Sequence, residues 1–307
     1  MQGVRVWLHD HHPFNSRKDW YTFLKNMFAK IADNDTSERA ASVAYSLLLA
    51  VFPTIIFFFT LIPYIPIPHL QDQIMDFFRR ALPGDTFRSV DATILDIINR
   101  PRSGVLSLGF LLALFSATSG LVALMQAFNS AHESAERRGY FNVRLVAVGL
   151  TFTLAFALIL AVVVLIIGGV VSDFLTHFGI LNNVVFITLL AIGRYVLVFA
   201  VFVGAVSVIY RYGPDVNMKW AFITPGAVTA SVLIVLTTLG FSYYVSNFGS
   251  YNKLYGSIGT LIALMIWINL ISLLLIMGFD MNIALYGLEG DKNPSVVAKT
   301  TDDVSPT

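Results

Sequence analysis

The sequence predicts an all-α polytopic membrane protein with six transmembrane helices. Of its 307 residues, 56% are hydrophobic and only 13% are Asp, Glu, Lys or Arg, whereas soluble globular chains carry about 25% charged residues. Six separate apolar stretches are long enough to cross a hydrocarbon core of about 30 Å, which takes about 20 helical residues. The net charge of +1 gives the chain no general attraction to nucleic acid.

The predicted spans divide the chain into three parts. They cover Ala40–Ile62, Gly104–Leu124, Val143–Val171, Val184–Ile209, Ala221–Val245 and Ile258–Gly278. We expect a cytoplasmic N-terminal segment at 1–39, a transmembrane domain at 40–286 and a polar, disordered cytoplasmic tail at 287–307. With both termini inside, thirteen Lys and Arg residues are cytoplasmic and six are outside. The positive-inside rule therefore favours an N-in, C-in orientation.

Two amphipathic segments lie outside these spans. In Asp19–Ala32 the apolar residues recur at helical spacing and both lysines lie off the stripe, which predicts a helix in the cytoplasmic interface. A helix docked on the protein's own loops is the alternative. The segment 63–103, between spans 1 and 2, has two apolar stripes separated by Pro83-Gly84. It predicts an outer helical hairpin.

Arg194 is the first candidate for a functional residue, because a guanidinium inside a span costs several kcal/mol unless it is paired or hydrated. It lies ten residues into the fourth span, about 15 Å from the outer end. Asn269 lies at a similar depth in the sixth span. We therefore predict a substrate path lined by Arg194 and Asn269, with Tyr45 and a kink at Pro53 on the first span. The alternative is an arginine that snorkels or binds backbone carbonyls for stability alone.

Two further groups of polar residues are candidates. One lies near the cytoplasmic ends of spans 2 and 6 and predicts either a vestibule or ordinary helix capping; it comprises Asn129, His132, Glu133, Asp280 and Asn282. The other lies in the predicted outer loop between spans 5 and 6 and suits a lipid headgroup or a polyol, or else a self-satisfied turn. It comprises Asn247, Gly249, Ser250, Tyr251, Asn252 and Tyr255.

Pairs of small residues four positions apart predict close helix packing and leave room for a homodimer. The pairs are Ala113/Ala117, Ser116/Gly120, Ala200/Gly204, Gly226/Ala230 and Gly259/Ala263.

Several motifs together carry a family resemblance. They are Ala40–Tyr45 leading to Val51–Pro53, Ser116–Leu121, Tyr210–Pro214, Ser246–Asn252 with Tyr255–Ser257, and Gly278–Asn282. This pattern, which spans about residues 36–285, resembles the YihY / virulence factor BrkB family of bacterial inner-membrane proteins. Asp280 replaces the family's usual Glu, and Tyr195 replaces a frequent Trp. The resemblance implies six transmembrane helices and a multi-pass protein of the bacterial inner membrane.

Many members of that family carry the label ribonuclease BN, and the residues argue against it here. His9-Asp10-His11-His12-Pro13 begins like a zinc-ribonuclease motif but lacks its Asp-His pair. The absence of cysteine excludes thiolate chemistry, and no phosphate-binding loop or nucleophile elbow is present. We therefore predict no catalytic residues, metal or cofactor, and no nucleic-acid partner.

The leading hypothesis for function is a transporter or lipid-handling protein that moves a lipid or a small polar solute. Membrane lipids are the expected partners. The first alternative is a non-catalytic scaffold that organises membrane partners through its interfacial helix and outer hairpin. The second is a hydrolase, which only the family label suggests.

Overall fold

The computed structural model describes residues 34–65, 70–81, 95, 103–130, 138–177, 184–215, 220–247 and 249–286. Within this part of the chain, seven α-helices have described bounds: α1 (Asn34–Leu61), α2 (Leu70–Ala81), α3 (Ser103–Ser130), α4 (Tyr140–His177), α5 (Val184–Tyr212), α6 (Pro225–Asn247) and α7 (Gly249–Tyr286). All except α2 are long and apolar enough to cross a membrane. The predicted all-α fold with six transmembrane helices is confirmed.

Most helices extend beyond the apolar stretch that predicted them. Helix α1 begins at Asn34 rather than Ala40, and α3 continues to Ser130. Hydropathy marks only the segment that requires a hydrocarbon environment, so helical turns that protrude into the interface are missed. The fifth span is the exception: it was predicted from Ala221, but α6 begins at Pro225. Proline suits the first helical position because its fixed φ is already helical and it has no N–H to satisfy.

The prediction of an outer loop between the fifth and sixth spans is wrong for most of its residues. Asn247 is the last residue of α6, and Gly249, Ser250, Tyr251, Asn252 and Tyr255 all lie in the first turns of α7. Glycine, serine and asparagine disfavour a helix by at most about 1 kcal/mol each, so a continuing helix readily includes them. Their binding of a headgroup or polyol stays a prediction.

The six long helices form a ring in sequence order. Helix α1 packs along α3, α4 along α5 and α6 along α7, and α7 closes the ring against α1. The buried core lies at one end of this ring. It is built from early residues of α1, α4 and α6 and late residues of α3, α5 and α7, among them Ala40, Val43, Leu124, Phe128, Ala147, Tyr210, Ala230 and Phe279. Successive spans therefore alternate in direction, and the core end is the predicted cytoplasmic end.

At the other end, the α4–α5 pair is much more open. Beyond Leu154, α4 has one partly buried stripe, and its remaining described side chains are exposed. The stripe consists of Ala157, Ala161, Val164, Gly168 and Gly169. Because Gly168 meets a side chain of α5, this stripe is the face toward α5. This half of α4 therefore presents exposed apolar side chains on most of its circumference.

Small residues bring some of the helices close together, as predicted. A Cβ atom on Gly120 of α3 would overlap the side chain of Leu47 on α1. Gly226 of α6 is equally close to α7, as described below. The pair at 200 and 204 behaves differently, because Ala200 is exposed and a Cβ on Gly204 would meet nothing within 4 Å.

Several predicted segments fall outside the described residues. These are the interfacial helix Asp19–Ala32, the second stripe of the hairpin and the tail at 287–307. The first stripe of the hairpin does form a helix, α2. The hairpin as a cap on the outer face and the N-in, C-in orientation stay predictions.

Candidate functional site

The side chain of Arg194 on α5 crosses two consecutive glycines of α4. A Cβ atom on Gly168 would lie 2.6 Å from Cδ of Arg194, and one on Gly169 would lie 3.5 Å from its Nη1. Carbon atoms that are not bonded to each other do not approach to 2.6 Å without displacement. Glycine at position 168 therefore leaves the room that the arginine occupies. We call Gly168, Gly169 and Arg194 the arginine seat.

The charge of Arg194 is not neutralised by a close contact in the described part of the chain. Its Nε atom is buried and has no hydrogen-bond partner there. The guanidinium carbon lies 5.1 Å from the ring centroid of Tyr195, within the range of a cation–π attraction. Such an attraction offsets only part of the cost of a cation inside a membrane span. A negatively charged group that reached the seat would therefore be stabilised.

The other residues of the predicted path lie on different helices. Asn269 is on α7, which packs along α6 and α1, and it is partly buried. Tyr45 and Pro53 are on α1; the tyrosine is 58% exposed, and the helix continues through the proline. In the described part of the chain, no hydrogen bond, ion pair or ring contact joins these three residues to Arg194. A path lined by Arg194 and Asn269 together stays a prediction.

Polar side chains of the predicted vestibule are buried at the core end. Asn129, Asp280 and Asn282 are 3%, 3% and 0% exposed, whereas His132 and Glu133 lie outside the described residues. The Oδ1 atom of Asn129 accepts a hydrogen bond from the backbone N–H of Asp215 at 2.9 Å. This bond ties the end of α3 to the segment that follows α5. Both the vestibule and the capping interpretation of Asn129 stay predictions.

Asn282 has a similar role at the start of α6. Its Oδ1 accepts from the backbone N–H of Gly226 at 2.8 Å, and its Nδ2 donates to Oγ1 of Thr224 at 2.8 Å. The Thr224 hydroxyl also accepts from the N–H of Ala227 at 3.2 Å, as an N-cap residue does. Since Pro225 has no N–H, the first turn of α6 is satisfied without water.

Gly226 and Gly278 allow α6 and α7 to touch at this point. A Cβ atom on Gly226 would overlap the carbonyl oxygen of Gly278 and Oδ1 of Asn282. A Cβ on Gly278 would lie 2.5 Å from the hydroxyl of Tyr210 and 2.8 Å from the carbonyl oxygen of Gly226. Both positions therefore require glycine for space. The small-residue pattern predicted the position on α6, but not its partner on α7.

An aromatic cluster fills the space beside this contact. The ring of Phe279 lies 4.4 Å from that of Phe128 and 5.7 Å from that of Tyr210, measured between centroids. Trp220 adds a fourth ring 6.0 Å from Phe279. The buried Tyr210 hydroxyl donates to the carbonyl of Leu275 at 2.7 Å. Helices α3, α5 and α7 are thus joined by ring packing and one hydrogen bond.

Three arginines at the core end each donate to a backbone carbonyl. The pairs are Arg39 with Ala127 at 3.0 Å, Arg138 with Gly213 at 2.8 Å and Arg211 with Trp220 at 2.7 Å. The acceptors of Arg39 and Arg138 lie in the last turn of α3 and directly after α5. A cation is favourable there, since the C-terminal end of a helix carries a partial negative charge.

Arg144 on α4 is a structural residue that the sequence analysis did not single out. Its Nη1 lies 3.0 Å from Oγ1 of Thr118 and 3.0 Å from Oγ of Ser119, so both hydroxyls can accept from it. Its guanidinium carbon lies 4.4 Å from the ring centroid of Phe115. These three residues belong to or adjoin a family motif on α3. No signal in the sequence indicated this contact, because Arg144 and its acceptors lie on different helices.

Replacing Arg144 with leucine is expected to lower the unfolding temperature of the detergent-solubilised protein. The change removes hydrogen bonds from a charged donor, each of which contributes about 1.5–3 kcal/mol. Scanning fluorimetry measures the effect. Arg79→Leu is the matched control, because Arg79 is exposed and its ion pair with Asp76 is exposed as well. Equal unfolding temperatures for the two variants would contradict the role of Arg144.

The structure offers no assembled metal site in the residues it describes. No group of three or more His, Cys, Asp or Glu residues that could hold a metal occurs there. The histidine-rich segment His9–His12 lies outside the described residues. The expected absence of a metal therefore stays a prediction.

The comparison with known families agrees with the motifs and with this architecture. The sequence model described as Virulence factor BrkB matches residues 27–299, which is most of the chain. The chain belongs to the virulence factor BrkB family. It is a multi-pass bacterial membrane protein, as the six spans and the names of its relatives show.

Two relatives of this BrkB-family chain are similar over nearly their whole length. "Putative ribonuclease-like protein YfkH" of Bacillus subtilis (strain 168) is 30% identical over 275 residues, which cover 89% of this chain and 99% of that protein. "UPF0761 membrane protein MS0032" of Mannheimia succiniciproducens is 22% identical over 299 residues, covering 92% and 98%. The word ribonuclease belongs to the name of the first protein alone. No solved structure matches the chain significantly.

Proposed function

We propose that this BrkB-family protein moves a lipid or a small polar solute with an anionic group, and that Arg194 contacts that group during passage. The observation that carries the proposal is the arginine seat. The chain places a cation about 15 Å from the first residue of α5 and provides two glycines that make room for it. A cation inside a span costs several kcal/mol unless it is paired or hydrated, and the anionic group of a ligand would supply that pairing.

The chemistry of the seat favours an anionic cargo. A guanidinium forms two parallel hydrogen bonds with a phosphate or a carboxylate, and it keeps its charge when it is dehydrated. The buried Nε and the Nη1 beside Gly169 belong to this planar donor group. An uncharged cargo would leave the positive charge uncompensated.

Arg194→Leu is expected to reduce movement of a fluorescent (NBD) phosphatidylglycerol across proteoliposome membranes at least tenfold. Dithionite quenching measures the movement, and uptake of labelled inorganic phosphate tests a small solute in the same vesicles. Arg194→Lys keeps the charge without the planar donors and should retain part of the activity. Arg79→Leu is the control for loss of a basic residue. If folded Arg194→Leu matches the wild type with both probes, Arg194 is not on a transport path.

The scaffold alternative rests mainly on the helix predicted at Asp19–Ala32, outside the described residues. It stays a prediction. Deletion of that segment with normal transport in vesicles, but loss of cellular function, would favour it.

A further inference from the structure

The surroundings of the arginine seat show from which side a ligand can approach. The side chains that flank the seat on α4, three positions before and after Gly168, are exposed and apolar: Leu165 is 36% exposed and Val171 is 45% exposed. On α5, Tyr195 beside Arg194 is 60% exposed, and Leu197, three positions after Arg194, is 52% exposed. The seat therefore lies on the open α4–α5 pair, between two helices that face the bilayer. An enclosed aqueous path would instead bury these flanks against other helices.

A ligand at this position meets two kinds of surface. Its anionic part meets the guanidinium, and any part that extends along α4 or α5 meets leucine, valine and tyrosine side chains. A free phosphate and a lipid phosphate both lose hydration at this position, but the free phosphate gains nothing from the apolar flanks. A phospholipid can place its phosphate on the arginine while its acyl chains remain in a hydrocarbon environment along the helices.

We propose that the arginine seat is a binding site for the phosphate of a membrane phospholipid, which approaches laterally from the bilayer with its acyl chains against the exposed faces of α4 and α5. The proposal rests on the proposed function in that the anionic group of the cargo contacts Arg194. It goes further by naming the cargo as a phosphate-bearing lipid and by giving its direction of entry.

One acidic residue of α4 offers a competing explanation and is included in the test. Asp173 follows Gly169 by four positions, one helical turn further along α4. If Asp173 were the counter-charge of Arg194, its neutralisation would alter the seat without any lipid. Asp173→Asn therefore separates an internal ion pair from a lipid site.

The experiment is a titration of the purified full-length protein with phosphatidylglycerol in detergent, followed by native mass spectrometry. Diacylglycerol with the same acyl chains is the matched ligand without phosphate. We expect Arg194→Leu to weaken phosphatidylglycerol binding at least tenfold and to leave diacylglycerol binding unchanged. Gly168→Ala should also weaken it, because the added methyl group displaces the arginine stem. Gly193→Ala, next to Arg194 but with nothing within 4 Å of its Cβ position, should bind like the wild type.

Three results would overturn the proposal. They are equal binding of phosphatidylglycerol and diacylglycerol, binding that Arg194→Leu leaves intact, and displacement of the lipid by inorganic phosphate at concentrations that match its own binding. A fourth result would also count against it: phosphatidylglycerol binding at least tenfold stronger in Asp173→Asn than in the wild type, which would mean that Asp173 occupies the guanidinium. Scanning fluorimetry confirms that each variant is folded, and Arg194→Lys serves if Arg194→Leu is not.

The outcome is separable from that of the proposed function. Specific phosphatidylglycerol binding without lipid movement in proteoliposomes leaves the lipid site standing and overturns transport. Lipid movement that depends on Arg194, without a preference for phosphatidylglycerol over diacylglycerol in binding, supports transport and overturns the phosphate site.

Discussion

Gly226→Ala is expected to destabilise the protein by about 3 kcal/mol, which lowers the unfolding temperature by about 10 °C. The added methyl group would overlap a backbone carbonyl oxygen of α7 and the Oδ1 atom of Asn282. Neither group can rotate away: the carbonyl belongs to a long helix, and the amide oxygen accepts a hydrogen bond from Gly226 itself. The two helices must separate, and the cap of α6 is lost with the contact.

Scanning fluorimetry and size-exclusion chromatography in detergent measure this effect. Gly240→Ala is the matched control, since it lies on the same helix and a Cβ there meets nothing within 4 Å. Alanine is the better helix former, so the control should unfold at the same or a slightly higher temperature. Similar unfolding temperatures for the two variants would show that α6 and α7 are not in contact at Gly226.

Asn282→Leu is expected to cost a similar amount, about 3 kcal/mol, for a different reason. Leucine has as many side-chain heavy atoms as asparagine but leaves the buried N–H of Gly226 without its partner. It also removes the hydrogen bond to the buried hydroxyl of Thr224, which keeps only its bond from Ala227. Each buried group without a hydrogen bond costs about 1–3 kcal/mol. The unfolding temperature in detergent, with the monodisperse fraction, is again the measurement.

Two controls make the interpretation specific. Asn142→Leu removes an exposed amide from the first turn of α4 and should leave the unfolding temperature nearly unchanged. Thr224→Ser keeps the capping hydroxyl, whereas Thr224→Val removes it and should cost about 1 kcal/mol. A stable Asn282→Leu protein beside a destabilised Thr224→Val protein would mean that the threonine caps α6 without the asparagine.

The number and type of the helices could be predicted from the sequence because hydrophobic length is a local property. The start of α6 could not be located by hydropathy, since Ala221, Phe222 and Ile223 are apolar but precede the cap. The helix begins where Thr224 and Pro225 set the backbone, and that signal is chemical. The same applies to α7, whose first turns consist of polar residues and glycine.

The candidate site shows a similar division. Arg194 could be singled out because a charged residue within an apolar span can be recognised from the sequence of that span alone. Its seat could not, because the relation of Gly168 to Arg194 depends on the register between two helices. Pairs within one helix, such as Gly226 and Ala230, follow from periodicity, whereas the approach of Gly278 to Gly226 requires the packed structure.

The arginines that donate to backbone carbonyls at the core end belong to the basic residues from which the orientation was predicted. In the predicted orientation, Arg39, Arg138 and Arg211 have two roles. During membrane insertion their charges keep these segments in the cytoplasm. In the folded bundle they donate hydrogen bonds to backbone carbonyls. Only the later role depends on the planar donor group. Exchange for lysine therefore separates biogenesis from folding, because it preserves the charge that guides insertion and removes the fork that holds the carbonyl.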